Sequence, residues 1–377
     1  MNRWNKWLSK TAFVSLGLVV TLTGCGNEEK ETVTGENGEA ERLNVVTTFY
    51  PMYEFSKQIA GEHADVVALV PAGVEPHDWE PSPQDMAKIK EADIFVYNGG
   101  VEGWVEDALS SASSEKRIVV KASEGIELME GEDDGHNHGH HHGHEEGHEG
   151  HEEGHGEGHE EGHEEGHEGH DEGHDHEGES AGEHEEGHDH AAEDKHEHEE
   201  GDTILDPHVW LDPSLAQKQV ATILEAYEQA DPAHAASYAS NAEAYIAKLQ
   251  ELDQSFEEAL KAAKRTEFIT QHAAFGYLAK RYGLTQIAIA GLSPDQEPSP
   301  DRMAEIITFS KEHDVKTIFF EKLVQPKVAQ TIANEIGART DVLNPLEGLT
   351  EEDLKQNLDY IGAMEMNRDA LKKALVE

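Results

Sequence analysis

The chain has 377 residues, 36% of them hydrophobic, and a formal net charge of −50 at neutral pH. That length allows two domains with cores of their own, and that charge argues against a nucleic-acid partner. The charge is uneven: residues 131–202 hold 29 Asp and Glu against one Lys, a surface suited to cations and equally to plain solubility.

At the start, Arg3, Lys6 and Lys10 flank the short apolar run "TAFVSLGLVVTLTG", the layout of a secretory signal and too short for a comfortable membrane span. The run closes on Leu22-Thr23-Gly24-Cys25, which resembles the lipobox of bacterial lipoproteins. Residues 1–24 are therefore expected to be a signal peptide with a lipobox, with Cys25 carrying lipid. Residues 25–41, polar and poor in apolar side chains, read as a flexible tether. Cys25 is the only cysteine, which leaves no internal disulfide. The expected setting is extracytoplasmic, lipid-anchored at the outer face of the cell membrane, with the chain a monomer.

From residue 42 strand and helix signals alternate. "LNVVTTF" and "ADVVALV" read as buried strands around the helical "MYEFSKQIAGE". A Pro/Gly-rich loop leads to a helix from Pro83, the strand "DIFVYNG", a helix around Trp104 and the strand "RIVVKASEGIEL". Such alternation implies a parallel α/β sheet. The order recurs after residue 266 in "EFITQ", "AFGYLAKRYG", "TQIAIAG", "DVKTIFFE" and "TDVLNPLEG", and even letters repeat, "EPSPQDMAKI" facing "EPSPDRMAEI". The fold class is thus α/β, two similar lobes each with a roughly four-stranded parallel sheet and flanking helices. Between them, Asp231-Pro232 looks like the cap and first residue of one long rigid helix over 231–264. The lobes are then 42–230, interrupted by 131–202, and 265–377. Open parallel sheets bind ligands outside the carboxyl ends of their strands, so two facing sheets form a cleft.

Six histidines lie outside the acidic stretch. His63, His234 and His313 sit at helix ends or polar connections, ordinary surface positions. His77 in "PAGVEPHDWEPSP", His208 in "LDPHVWLDPS" and His272 in "FITQHAAFG" fall in rigid loops or at a strand end, His272 where a helix begins. Together they make a candidate three-nitrogen metal set. Tetrahedral zinc wants a fourth ligand; Glu347 in "LNPLEGLT" is the leading candidate, with Glu321, Glu75 and Asp78 competing.

The acidic stretch itself holds His136, His138, His140, His141, His142, His144, His148, His151, His155, His159, His163, His167, His170, His174, His176, His184, His188, His190, His196 and His198. Interleaved with Glu, Asp and Gly, it lacks the apolar surface to offset ordering entropy, so a disordered, low-affinity auxiliary metal loop is expected. It spells H-E-E-G-H five times, matching the H-E-x-x-H signature of zinc peptidases. That motif needs a helix to place both histidines on one face. The glycines and the missing apolar stripe argue against a peptidase, and the strings recur because the repeat uses few letters.

Residues 42–377 resemble the zinc-uptake solute-binding lipoproteins of bacterial ABC transporters, a class that includes manganese-binding relatives. The resemblance rests on "TTFYPMYEFSKQIAG", "PHDWEPSP", "DPHVWLDP", "QHAAFGYLAKRYGL" and the His-rich insertion. It implies two four-stranded lobes bridged by one helix, with metal buried between them on His77, His208, His272 and, least securely, Glu347. It also implies a permease and its ATPase as partners, and capture and delivery of Zn2+ with no catalysis. Three nitrogens and one oxygen favour zinc over manganese. Manganese or another divalent ion, and a surface adhesin role, are the alternatives. Because imidazoles must shed protons, binding is expected to weaken as pH falls toward and below about 6.5.

Overall fold

The computed structural model describes residues 42–131 and 204–376. In the first lobe β1 (Leu43–Thr47), β2 (Ala64–Ala68), β3 (Ile94–Tyr97) and β4 (Ile118–Lys121) form a parallel sheet in the order β2-β1-β3-β4. In the second, β5 (Glu267–Thr270), β6 (Thr285–Ala288), β7 (Thr317–Phe320) and β8 (Arg339–Val342) repeat that order as β6-β5-β7-β8. Both sheets are fully parallel, so all strands of a lobe end at one edge.

The helices between the strands are α1 (Tyr50–Ala60), α2 (Pro83–Glu91) and α3 (Val105–Ser111) in the first lobe. Their counterparts are α6 (Gly276–Arg281), α7 (Pro300–Glu312) and α8 (Lys327–Ile336). The repeated E-P-S-P letters act alike in both halves. Ser82 caps α2 by accepting from the Asp85 N–H, and Ser299 caps α7 through the Arg302 N–H. Pro83 and Pro300 each fill the first helical position, where a missing N–H costs nothing.

Helix α4 (Pro213–Ala230) is followed by α5 (Ala235–Leu260). At 1.5 Å per residue the latter runs about 39 Å. It buries Tyr238, Ala242, Tyr245, Leu249, Leu252, Phe256 and Leu260, one stripe at helical spacing. Tyr238 packs on Tyr227 of α4, Tyr245 against Phe55 of α1, and Phe256 stacks on Tyr282 beyond α6. One helix is therefore anchored in both lobes, each buried large side chain contributing about 1.5–3 kcal/mol. After α9 (Glu351–Lys355), α10 (Tyr360–Leu375) packs along α5 and closes the second lobe.

Two local expectations are corrected. Asp231 does not cap the long helix: it follows the end of α4, and its carboxylate takes His234 Nδ1 at 2.6 Å and the Tyr238 hydroxyl at 3.0 Å. The Pro232 segment is a turn, α5 starts at Ala235, and the run expected to 264 ends as helix at Leu260. His272 also does not begin a helix; it lies in the turn after β5, and α6 starts at Gly276.

Candidate metal centre

The facing edges of the two sheets present four loops, and one side chain from each meets its neighbours. His77 comes from the loop after β2, His208 from the loop following β4 in the fold, His272 from the end of β5 and Glu347 from the loop after β8. One ligand atom from each lies within 4.8 Å of all the others, and no other such cluster of three or more occurs among the described residues. Glu347 Oε1 is 3.0 Å from His77 Nε2, 3.2 Å from His208 Nε2 and 3.4 Å from His272 Nε2. Two donors on a tetrahedral zinc with bonds near 2.05 Å stand about 3.3 Å apart. His208, His272 and Glu347 are buried, and only His77 keeps a small exposed face, 11% of its side chain.

Each buried imidazole is aimed from behind. His208 Nδ1 pairs with Asp206 Oδ1 at 2.7 Å, and the same oxygen accepts the His208 N–H at 2.9 Å. His272 Nδ1 pairs with Glu321 Oε1 at 2.6 Å, which also accepts the His272 N–H. A carboxylate holding Nδ1–H leaves the Nε2 lone pair toward the cleft, the way metal-binding histidines are usually oriented and tuned from behind. His272 Nε2 is buried with no hydrogen-bond partner, a polar atom left for a ligand. Glu321, weighed in the sequence as a rival ligand, thus stands behind His272 and outside the four-atom cluster.

Glu347 owes its direction to an uncommon backbone. Leu346 before it has φ 57°, a left-handed conformation that β-carbon sterics disfavour. Leu346 N–H donates to Asn344 Oδ1, Asn344 N–H donates to Asn367 Oδ1, and Trp210 Nε1 donates to the Pro345 carbonyl. These bonds tie the Glu347 loop to α10 and to the His208 segment. Gly348 follows where Leu323 packs closely: a Cβ there would meet Leu323 Cδ1 at 3.0 Å, with Val74 O of the first lobe at 3.4 Å, an ordinary contact.

Electrostatics bind the four into one unit. Burial pushes Glu347 up, but His272, His208 and His77 outweigh it and hold the carboxylate well below its ordinary range. Burial pushes His208 down, yet hydrogen bonds to Asp206 and Glu347 raise it. His272 is raised well above the usual value because Glu321 and Glu347 overcome the same burial. Glu75 is pushed up to about 8 by burial and by Glu347; it accepts the His77 N–H and lies outside the cluster. Asp78 also lies outside the cluster; burial and the nearby Asp78 carboxylate raise Asp295 of the other lobe above its ordinary range.

The remaining histidines stay apart. His63 and His234 stack at 4.1 Å with planes 19° apart, outside the cluster. His313 stacks on Phe309. Cys25, the 1–24 signal, the 25–41 tether and the histidines from His136 to His198 lie outside the described residues. No helix among the described residues is long and apolar enough to cross a membrane.

Asp206 was not read from the sequence as part of the site, although a carboxylate two positions before a loop histidine, in D-P-H, is a signal for it. Trp210 and Asn367 carried no such signal, because their partners are distant in sequence.

A family model described as zinc-uptake complex component A, periplasmic, matches residues 45–374. The high-affinity zinc uptake system protein ZnuA of Bacillus subtilis is 45% identical over 99% of both chains. The zinc-binding lipoprotein AdcA of Streptococcus pneumoniae is 42% identical over 93% of this chain, which spans 58% of that longer protein. The crystal structure of the Zn(II)-bound ZnuA-like domain of Streptococcus pneumoniae AdcA superposes with a TM-score of 0.64 at 37% identity, covering 89% of this chain and all of that one.

Proposed function

The chain belongs to the zinc-uptake complex component A family, and from that premise we propose that its inter-lobe cleft captures Zn2+ outside the cytoplasm for delivery to an ABC permease. His77, His208, His272 and Glu347 supply three imidazole nitrogens and one carboxylate oxygen. The observation that carries the reading is a single Glu347 oxygen standing 3.0–3.4 Å from three Nε2 atoms, the edge lengths of a zinc tetrahedron. Imidazole-rich donors suit zinc, whereas manganese favours harder oxygen sets.

Neutral histidines and the ionised Glu347 take the ion, and Asp206 and Glu321 hold the Nδ1 protons of His208 and His272. Four protein donors close the coordination sphere and leave no open position for an activated water, which supports a carrier and not an enzyme. The ion enters past His77, the one ligand with an exposed face. Because α5 is packed into both lobes, release proceeds by movement of the ligand loops more than by a swing of the lobes. Cys25, if acylated as its lipobox implies, holds the carrier at the membrane beside its permease and ATPase, and the 131–202 histidines add low-affinity capacity.

Competition against a chelating dye tests this directly. One high-affinity zinc per chain is expected, with manganese at least a hundredfold weaker, and His77→Ala, His208→Ala or His272→Ala abolishing it. Tight zinc binding that survives all three substitutions would overturn the assignment.

A further inference from the structure

The segment 132–203 leaves and rejoins the fold at a single point. Gly131 N–H donates to the Ile204 carbonyl at 2.8 Å, Asp206 N–H to the Met129 carbonyl at 2.9 Å, and Glu130 bridges Leu205 antiparallel. This two-stranded neck belongs to the first lobe by sequence, yet the second lobe grips it. The Tyr277 hydroxyl, on α6, accepts the Met129 N–H at 2.8 Å and donates to the Asp206 carbonyl at 2.8 Å, so one oxygen joins both strands. Tyr277 is itself buried against Ile126 and Val209. Two glycines let the pieces close: a Cβ on Gly276 would stand 2.9 Å from Asp206 Oδ2, and one on Gly131 would stand 2.4 Å from Leu292 Cδ1.

We propose that this neck is a positioning device for His208, and that Tyr277 is the positioning residue that holds it. Asp206 is fixed at its N–H by Met129 and at its carbonyl by Tyr277, so its carboxylate cannot drift from the His208 Nδ1 it holds at 2.7 Å. The purpose follows from the insertion. The two strands meet where the chain leaves at residue 131 and returns at residue 204, and Asp206 is on one of them. Without the Tyr277 bonds, fraying of the neck would reach a carboxylate in contact with the ligand. With them, the insertion is insulated from the cleft. The same contacts make the second lobe a determinant of a first-lobe ligand.

The inference rests on His208 being a zinc ligand, and the test separates the two. Tyr277→Phe keeps the buried ring and removes only the bonding oxygen. In the metal-free protein, the His208 Nδ1–H resonance is expected to exchange with water at least severalfold faster. In the zinc-loaded protein, release into excess chelator is expected to quicken roughly five- to tenfold, the worth of one or two hydrogen bonds, with stoichiometry unchanged. Replacing 132–203 by an Asn-Gly turn in the Tyr277→Phe background closes the neck covalently and should restore both readings. A merely structural role would lower the melting temperature and leave Nδ1–H exchange and zinc release as in the parent. Parental exchange and release rates in a folded Tyr277→Phe protein, or failure of the short turn to restore them, overturn the proposal. Tight zinc binding by His208→Ala would instead strike the ligand assignment, and the Nδ1–H exchange would still judge the neck.

Discussion

The two lobes share a topology, and their registers can be laid over one another residue by residue. Thr47 pairs with Ala68 as Thr270 pairs with Ala288, and the Leu69 and Ile289 N–H groups donate to the Thr47 and Thr270 carbonyls in the same way. By that register Phe49 occupies the position of His272, and Asn98 that of Glu321. In the first lobe the strand end is core: Phe49 is fully buried, edge-on to Trp210 at 5.1 Å. In the second it is His272, the proposed metal donor, with the Glu321 carboxylate behind it. Asn98 also supports the site, but through the backbone, donating to the Pro207 carbonyl at 2.9 Å beside His208. The fold supplies equivalent sockets, and the residue in each decides whether it packs, braces or binds. Loop length follows suit: Leu69–Pro81 is longer than Ile289–Pro298, and the longer one carries His77.

Exchanging residues between sockets should break this comparison at graded cost. His272→Phe copies Phe49 and removes a donor; zinc affinity by dye competition is expected to fall well beyond the tenfold to hundredfold typical of outer-shell changes. Phe49→Ala empties the opposite socket and should cost about 3–5 kcal/mol of stability in a denaturant titration, while the folded fraction binds zinc nearly as tightly. Glu321→Asn copies Asn98 and leaves His272 unsupported. A ten- to hundredfold loss of affinity is expected from chelator competition.

Protons sharpen the same contrast, because the raised histidines and the depressed carboxylate sit at the donor sockets. His208 and His272 are raised above 6.5, so their stabilisation of the metal-free protein is complete below that value and fades as pH rises through their raised values. Glu347 is lowered below 4.5, so its contribution is present above that value and fades as pH falls through its lowered one. Zinc must displace the imidazole protons, so competition begins at a higher pH than an ordinary imidazole would give. Calorimetry in buffers of different ionisation heat should detect proton release on zinc binding at pH 7. The gain in melting temperature on adding zinc should grow as pH rises.

Much of this was legible because strands, caps and strand-end loops are local. Alternating apolar runs placed all eight strands, and E-P-S-P announced α2 and α7 through Ser82 and Ser299. His77, His208, His272 and Glu347 stood out as rigid-loop or strand-end residues, and the structure brings them together. What was not legible depends on distance in space. Nothing local to Glu321 says that it faces Nδ1 of His272 and not the ion, since either carboxylate role suits a strand end. Asp231 reads as a helix cap by composition, yet His234 and Tyr238 claim its carboxylate and the turn ends elsewhere. The left-handed backbone at Leu346, which turns Glu347 inward, carries no letter such as Gly or Asn to reveal it.

The smallest effect is expected from the largest change. Replacing 132–203 with an Asn-Gly turn joins Gly131 to Ile204, whose backbones already exchange a hydrogen bond at 2.8 Å, the spacing a two-residue hairpin closes. None of the four clustered residues is removed, and Asp206 and Tyr277 keep their bonds. Affinity at the cleft should therefore stay within about twofold, while the total zinc bound per chain falls to one as the tract's weak donors go. Reducing the chain between residues 131 and 204 from 72 residues to two is roughly five halvings of loop length, so the metal-free protein should gain about 3 kcal/mol. Equilibrium dialysis of the parent and the shortened protein reads the stoichiometry, and dye competition reads the affinity. If high-affinity binding vanished with the tract, the ligands would have to lie among the conspicuous histidines and not at the sheet edges. If the affinity holds, the sheet-edge sockets alone define the site.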